Sequence, residues 1–336
     1  MNRTVRPVEI RYAGTMTLPS LVQIREAQAV VYRYMPPTPQ YSWPLTNKRL
    51  EAEVWIKHEN HTPIGAFKLR GALVYIEWLK QSRTSLEGVV AATRGNHGQG
   101  VGMAARLLGL KAVVVVPQGN SVEKNCAMLA QGVELVERGH DFQESLEFAR
   151  TLAEERGFEM VDSFHERLVM GTATYGLEMF ESAPPLDKVY VPIGLGSSIC
   201  GVAAARNALG LSTKIAGVVS SESPSYSLSF GPRKVVEAPS RTLIADGLAC
   251  RTPNPRAMEA IWENVSHVVE VTDAEIADAM RSLYQDTHNV AEGAGAAALA
   301  GALKEKDLNR GRRIGVVLTG GNVDAQIYKR VLAGEI

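Results

Sequence analysis

From residue 53 onward, short β-branched apolar runs alternate with longer stretches of helical periodicity, and this alternation most constrains how the chain folds. A strand with one face in water alternates apolar and polar residues. Runs such as Gly88 to Ala92 and Ile314 to Leu318 do not alternate. They need cover on both faces, which a parallel sheet flanked by helices supplies. The expected fold class is therefore α/β. Strands are expected at Glu53 to Lys57, Gly88 to Ala92, Ala112 to Val116, Val133 to Val136, Met160 to Asp162, Lys188 to Ile193, Ile215 to Ser220, Val268 to Val271 and Ile314 to Leu318. Helices are expected at Phe67 to Gln81, Gln99 to Leu108, Val122 to Ala130, Phe142 to Glu155, Thr172 to Glu181, Ile199 to Ala208, Ala274 to Gln285, Gly293 to Lys304 and near Val323 to Val331. Thr272 with Glu275 three residues on reads as a capping box for the helix after Val271.

A length of 336 residues suggests about two domains. No internal repeat, low-complexity tract or charge block marks a boundary, and the Pro/Ser-rich stretch Ser220 to Ser240 reads as an irregular connection. The β/α units at 81–165 are expected to form a small lobe. Segments 1–80 and 166–336 would form a discontinuous large one.

Charge and cysteine content exclude several function classes. Thirty-six Lys plus Arg cancel thirty-six Asp plus Glu, so no basic field is available to hold a nucleic-acid backbone. The three cysteines, Cys126, Cys200 and Cys250, are scattered and odd in number, which fits neither a disulfide framework nor a clustered zinc site. The first residues, MNRTVRPVEIRYAG, lack an apolar signal region, and no run approaches the roughly 18 apolar residues of a membrane span. A cytoplasmic protein without nucleic-acid or membrane partners is expected.

Three glycine-bearing loops follow apparent strands, where open α/β sheets place their ligands. In KHENHTPIGAFKLRGA, residues 57–72, Lys68 falls near a helix start, whose positive end favours the neutral amine that a nucleophile requires. A solvated surface lysine is the alternative. In ATRGNHGQGVG, residues 92–102, Gly95 and Gly98 permit close backbone approach, and helix-start amides can hold a carboxylate. A purely structural turn uses the same residues. In VPIGLGSSICG, residues 191–201, Gly194, Gly196, Ser197 and Ser198 are suited to wrapping a phosphate. The dinucleotide pattern G-x-G-x-x-G fails at Ile199, and no Walker-type G-K-[ST] is present, so the phosphate belongs to something other than NAD or ATP.

Two patterns point elsewhere and are set aside. His58, Glu59 and His61 resemble H-E-x-x-H, but the second histidine comes one residue early and Pro63 opposes a helix. The cysteines read as small buried apolar residues. No metal site is expected.

Taken in order, PIGAFKLRGA, TRGNHGQGVG, VPIGLGSSICG and VVLTGGNVD resemble the pyridoxal-phosphate enzymes of the tryptophan-synthase β fold, fold type II, and within them the threonine/serine dehydratases. The resemblance runs from about Tyr32 to Leu332. It implies two open, twisted, mostly parallel α/β domains with pyridoxal 5'-phosphate in the cleft between them, in a homodimer or homotetramer. It further implies that Lys68 carries the cofactor as a Schiff base, that Phe67 packs on the pyridine ring and that Asn96 hydrogen-bonds its phenolic oxygen. Gly194, Leu195, Gly196, Ser197 and Ser198 would form the phosphate loop. Thr319 would place a hydroxyl beside the pyridine nitrogen, leaving that nitrogen largely unprotonated. Thr93, Gly95 and His97 would belong to the loop receiving the substrate carboxylate.

The departures from the family pattern carry information too. Leu195 and Ser197 replace two of the four glycines frequent in such phosphate loops, so Leu195 is expected to point away from the phosphate. Arg94 stands where racemases of the group carry a serine acid/base and many dehydratases an alanine. A permanently protonated arginine is a poor proton acceptor, which demotes racemisation. Arg94 either approaches the substrate and recognises an additional anionic group or makes an outward salt bridge. Val219 and Ser225 occupy places where relatives with a divalent-cation site hold acidic residues, so no such cation is expected there, Glu222 being the one nearby carboxylate. The sequence stops at Ile336, and no C-terminal regulatory domain is expected.

The resemblance implies a lyase converting a 3-hydroxy L-amino acid, with L-threonine and L-serine foremost, into a 2-oxo acid and ammonia. Lys68 would remove the Cα proton. Alternatives are a dehydratase for a bulkier or acidic substrate (3-hydroxyaspartate, phenylserine or a hydroxyectoine-derived compound), an amino-acid racemase or β-replacement synthase on the same fold, and a non-catalytic amino-acid-binding protein.

Overall fold

The computed structural model describes residues 16–336, together with the backbone of a two-residue strand, Arg6–Pro7, paired antiparallel with Val236–Glu237. Two open sheets organise the chain. The larger has six strands in the order His267–Val271, Lys214–Ser220, Lys188–Pro192, Arg313–Leu318, Glu53–His58 and Gln40–Ser42, all parallel except the antiparallel edge strand Gln40–Ser42. The smaller has four parallel strands in the order Glu134–Glu137, Lys111–Val116, Gly88–Ala92 and Glu159–Met160. The mixed, mainly parallel α/β class expected from the apolar runs is what the chain adopts.

The period-2 geometry of a strand explains why those runs are apolar throughout. Ile314, Val316 and Leu318 enter one core beside the helices Asp273–Thr287 and Gly293–Lys304, while Val317 enters the opposite core with Tyr175, Ile199 and Val202. The smaller sheet repeats the arrangement. Val89 and Ala91 join Val114 and Val116 on one face, whereas Val90 and Ala92 join Val113 and Val115 on the other.

Every expected strand and helix has a counterpart, with shifts at the ends. The helix expected from Thr172 begins at Glu166, because the His165 side chain accepts from the Arg167 amide at 3.1 Å and caps the earlier turn. The helix expected from Gln99 begins at Asn96, so Asn96 and His97 sit in its first turn. The helices Leu21–Val31, Pro44–Leu50 and Pro255–Asn264 were not anticipated, although Ser20 with Gln23 forms a full capping box and the other two begin at proline. The connection Ser220 to Ser240 is less irregular than its composition suggests, holding a short helix Ser225–Phe230 and the strand Val236–Glu237. The Thr272–Glu275 capping box is present in full.

Candidate active site

Three adjacent strands of the larger sheet, Lys188–Pro192, Arg313–Leu318 and Glu53–His58, end side by side, and a glycine-bearing motif leaves each one. The Phe67 amide donates to the Thr319 carbonyl at 3.0 Å and the Gly321 amide to the Gly65 carbonyl at 2.9 Å, tying the Lys68 loop to the TGGN loop. From the smaller sheet, the strand Gly88–Ala92 delivers the asparagine loop to the same place. Motifs separated by more than a hundred residues thus meet in one cleft.

Lys68 opens the helix Lys68–Ser82, and its Nζ donates to Ser197 Oγ at 3.5 Å. Phe67, Lys68, Gly71, His97, Leu168, Thr172 and Ser197 line a small pocket. Desolvation pushes the Lys68 amine down to about 8, with the Glu292 carboxylate opposing the shift. A lysine so placed is neutral in a far larger fraction of molecules near neutral pH than a surface lysine. The solvated-surface alternative does not hold. Lys68 Nζ lies 4.9 Å from the centroid of the Phe67 ring, which in turn meets Tyr175 edge-on at 6.1 Å.

Ser197 begins the helix Ser197–Ala208, with Gly196 as its N-cap at φ +98°, a left-handed conformation that glycine adopts without strain. The Cys200 amide is the first to close back on the Gly196 carbonyl, at 3.0 Å. The amides of Ser197, Ser198 and Ile199 therefore have no partner within the helix, and they face the anion-attracting end of its dipole. Ser198 is buried with its Oγ 2.5 Å from the Tyr175 hydroxyl. Leu195 is partly buried and packs against the same core cluster as Phe164 and Phe230.

In the asparagine loop, Thr93 is buried and its Oγ1 accepts from the Gly95 amide at 3.0 Å. Asn96 Nδ2 donates to Glu292 Oε1 at 2.6 Å, and Asn96 Oδ1 accepts from Asn322 Nδ2 at 2.8 Å. His97 is buried, its Nε2 3.3 Å from the Val161 carbonyl, and burial with the nearby Lys68 pushes it down to about 4. It is a neutral imidazole at physiological pH. Arg94 is exposed and has no ion-pair partner among the described residues. Thr319 is buried, its Oγ1 donating to the Ala294 carbonyl at 3.4 Å.

Sequence reasoning overlooked four residues of this cleft. Glu292, Lys124, Asp246 and Asn322 all lie within one hydrogen bond or ion pair of Asn96 or of each other. Asn322 stands inside the quoted VVLTGGNVD motif, and Glu292 is an acidic residue directly before an alanine- and glycine-rich helix. Either could have been flagged as a lone polar group among small residues. Lys124 and Asp246 carry no local signal. The HENH pattern proves structural: Glu59 is fully buried and forms a two-pronged ion pair with Arg70, while His58 accepts from Trp43 Nε1 at 3.0 Å.

The donor set suits pyridoxal phosphate. It offers a desolvated lysine beside a serine-lined helix start, an asparagine amide whose Nδ2 has one hydrogen left to give, and a buried threonine hydroxyl. Comparison with known proteins bears on the same point. The family described as pyridoxal-phosphate dependent enzyme matches residues 31–320. The chain is 32% identical to the L-threonine ammonia-lyase of Thermotoga maritima over 93% of its length and 78% of that protein. It is 30% identical to the L-threo-3-hydroxyaspartate ammonia-lyase of Saccharomyces cerevisiae over 95% of its length and 98% of that protein. The solved structure of maize serine racemase superposes with a TM-score of 0.88 at 28% identity, covering 95% of this chain and 98% of the racemase.

Proposed function

The chain belongs to the pyridoxal-phosphate-dependent enzyme family, and we propose that it is a dehydratase converting a 3-hydroxy L-amino acid, L-threonine or L-serine, into a 2-oxo acid and ammonia. The observation that carries this reading is the Lys68 amine, desolvated and directed at Ser197, facing the asparagine loop across the cleft.

Pyridoxal phosphate, when bound, supplies the electron sink that lets a Cα–H bond break. The residues do the rest. The amides of Ser197, Ser198 and Ile199, which have no partner within the helix, would hold its phosphate together with the Ser197 hydroxyl. Asn96 would donate to it from Nδ2, Thr319 would offer its hydroxyl, and Phe67 would pack on its ring. The Thr93 to His97 loop receives the substrate carboxylate at the start of the helix Asn96–Leu107. Lys68 takes the Cα proton. Its low basicity for a lysine leaves it able both to accept that proton and to release it again. The β-hydroxyl departs as water, and a second water later releases ammonia from the carbon skeleton, so the reaction balances without an added oxidant. His97, held neutral, contributes shape and a hydrogen bond rather than charge.

Formation of oxo acid from L-threonine by protein loaded with pyridoxal phosphate tests this reading, with Lys68→Ala as control. The variant is expected to lose at least ~10²–10⁴-fold in kcat, the range for removing a positioned acid/base. Full ammonia release by Lys68→Ala overturns the assignment.

One observation favours a second reading. Arg94 stands exposed on the carboxylate loop with its guanidinium unengaged among the described residues, and the yeast relative is named for an acidic hydroxy amino acid. A substrate carrying a second carboxylate, such as 3-hydroxyaspartate, would give Arg94 a partner. Within the same proposal, the segment built on the smaller sheet, 81–165, moves toward the larger sheet when substrate binds. The protein acts as a homo-oligomer in the cytoplasm, a setting consistent with its three unpaired cysteines. Among the described residues no helix is long and apolar enough to cross a membrane.

A further inference from the structure

Glu292 precedes the helix Gly293–Lys304 at its N-cap position, yet its side chain makes no capping bond to that helix. Its carboxylate turns into the cleft and is almost wholly buried. One oxygen, Oε1, takes the Asn96 amide at 2.6 Å, and the other, Oε2, lies 3.8 Å from Lys124 Nζ. Lys124 is buried as well and reaches the cleft from the helix Val122–Leu129 beside the smaller sheet, where its Nζ also meets Asp246 Oδ2 at 2.6 Å. The chain keeps two glycines where this arrangement needs space. A Cβ on Gly320 would sit 2.5 Å from Glu292 Oε1, and one on Gly95 would sit 2.7 Å from Lys124 Cδ.

The amide of Asn96 is thereby oriented from both ends. Its oxygen is occupied by the donor Asn322 Nδ2, and one hydrogen of its Nδ2 is taken by Glu292. The remaining hydrogen has a single direction left, into the cleft. Reversing the amide would set oxygen against carboxylate and NH₂ against NH₂, which is strongly unfavourable in a buried site.

We propose that Glu292, clamped by Lys124, is a positioning residue that fixes the direction of the Asn96 amide and with it the hydrogen bond offered to pyridoxal phosphate. The inference rests on the cofactor reading above and deepens it. Because Lys124 comes from the smaller sheet and Glu292 from the larger, the clamp is complete only while the two sheets stand in this arrangement. The charged groups facing Glu292 are Lys124, Asp246 and Lys68, and Asp324 faces Lys124 in turn. Burial with the Asp246 charge raises the Glu292 carboxyl to about 7, against the pull of Lys124.

Glutamine at position 292 separates this role from mere filling of space. Its amide carries one oxygen and one NH₂ where the carboxylate carries two oxygens, so either Asn96 Nδ2 or Lys124 Nζ is left facing a donor. Glu292→Gln is expected to weaken pyridoxal-phosphate binding by about tenfold and to shift the visible band of the bound cofactor. The double variant Glu292→Gln/Lys124→Met removes the competing donor, lets the glutamine oxygen return to Asn96 and is expected to recover at least about threefold of the loss. Normal binding with an unshifted band in Glu292→Gln overturns the inference, as does a double variant whose losses simply multiply. Should Glu292→Gln fail to fold, Lys124→Met alone decides. Removal of the ammonium must raise the pH midpoint of the cofactor's band and affinity relative to the parent protein, and an unmoved midpoint overturns the clamp. Parent protein that takes up no pyridoxal phosphate overturns the cofactor reading itself, a result distinct from a variant that binds like its parent.

Discussion

Lys68 and Ser197 meet at 3.5 Å although they lie 129 positions apart, each the first residue of a helix that leaves the larger sheet. The contact sets a candidate nucleophile against a candidate phosphate loop. It exists because the strands Glu53–His58 and Lys188–Pro192 both flank Arg313–Leu318 in parallel, so that their carboxyl ends open on the same side.

Burial of the Lys68 amine makes stability depend on pH with a definite sign. Its folded value, about 8, lies below the ordinary 10.5, so between these values the unfolded chain binds the extra proton and stability rises with pH. The penalty is complete below pH 8. In the cofactor-free protein, Lys68→Met is expected to unfold at higher urea than the parent at pH 7. The difference should narrow as the pH is raised from 8 toward 10.5, and equilibrium urea unfolding across that range checks it.

Gly196→Ala should damage the phosphate loop and the fold together. The backbone is left-handed there, and the added methyl would lie 2.7 Å from the Ala257 Cβ. Overpacking and strain of this kind cost about 1–3 kcal/mol. A matching fall in unfolding free energy is expected, accompanied by weaker retention of pyridoxal phosphate on gel filtration.

The first helical turn of the Lys68 helix is anchored by a buried ionic network. Arg70 donates to Glu59 at 2.7 and 3.0 Å and to Glu178 at 2.6 and 2.8 Å, and Lys57 completes the charge balance by reaching Glu178 at 2.6 Å. Arg70 and Glu59 are fully buried. Arg70→Met leaves two carboxylates facing a single lysine and is expected to destabilise the protein by about 3–5 kcal/mol, measured by urea unfolding.

Arg94 offers the sharpest test of substrate choice. Arg94→Ala is expected to leave kcat/KM for L-threonine within about threefold of the parent, because a neutral side chain gives the guanidinium nothing to pair with. If 3-hydroxyaspartate is a substrate, its kcat/KM should fall by about tenfold or more, the scale of one lost charge-assisted pair. Steady-state rates over a panel of 3-hydroxy amino acids check both.

The legibility of this protein follows the range of the interactions involved. The apolar runs at Gly88 to Ala92 and Ile314 to Leu318 announced their strands because burial on both faces leaves a local mark, and the glycine-bearing loops marked Lys68, Gly95 and the 194–198 segment, with Asn96 added by the family resemblance. The helices beginning at Leu21, Pro44 and Pro255 also carried caps or prolines in view. They passed unread because their apolar faces are short and only packing makes them regular.

The amino-acid sequence by itself determined the α/β class and the candidate lysine and phosphate loop, since each depends on periodicity or on residues adjacent in the chain, while the candidate asparagine came from the family resemblance. Tertiary structure alone decided that Glu292 takes Asn96 and is itself faced by Lys124, that Arg70 is neutralised by Glu59 and Glu178, and that Arg94 is exposed with no ion-pair partner among the described residues. The physical reason is that a charge acquires its partner, its desolvation and hence its proton affinity only from groups brought beside it by folding. Lys124 and Glu292 lie 168 positions apart in the sequence, and nothing local to either one names the other.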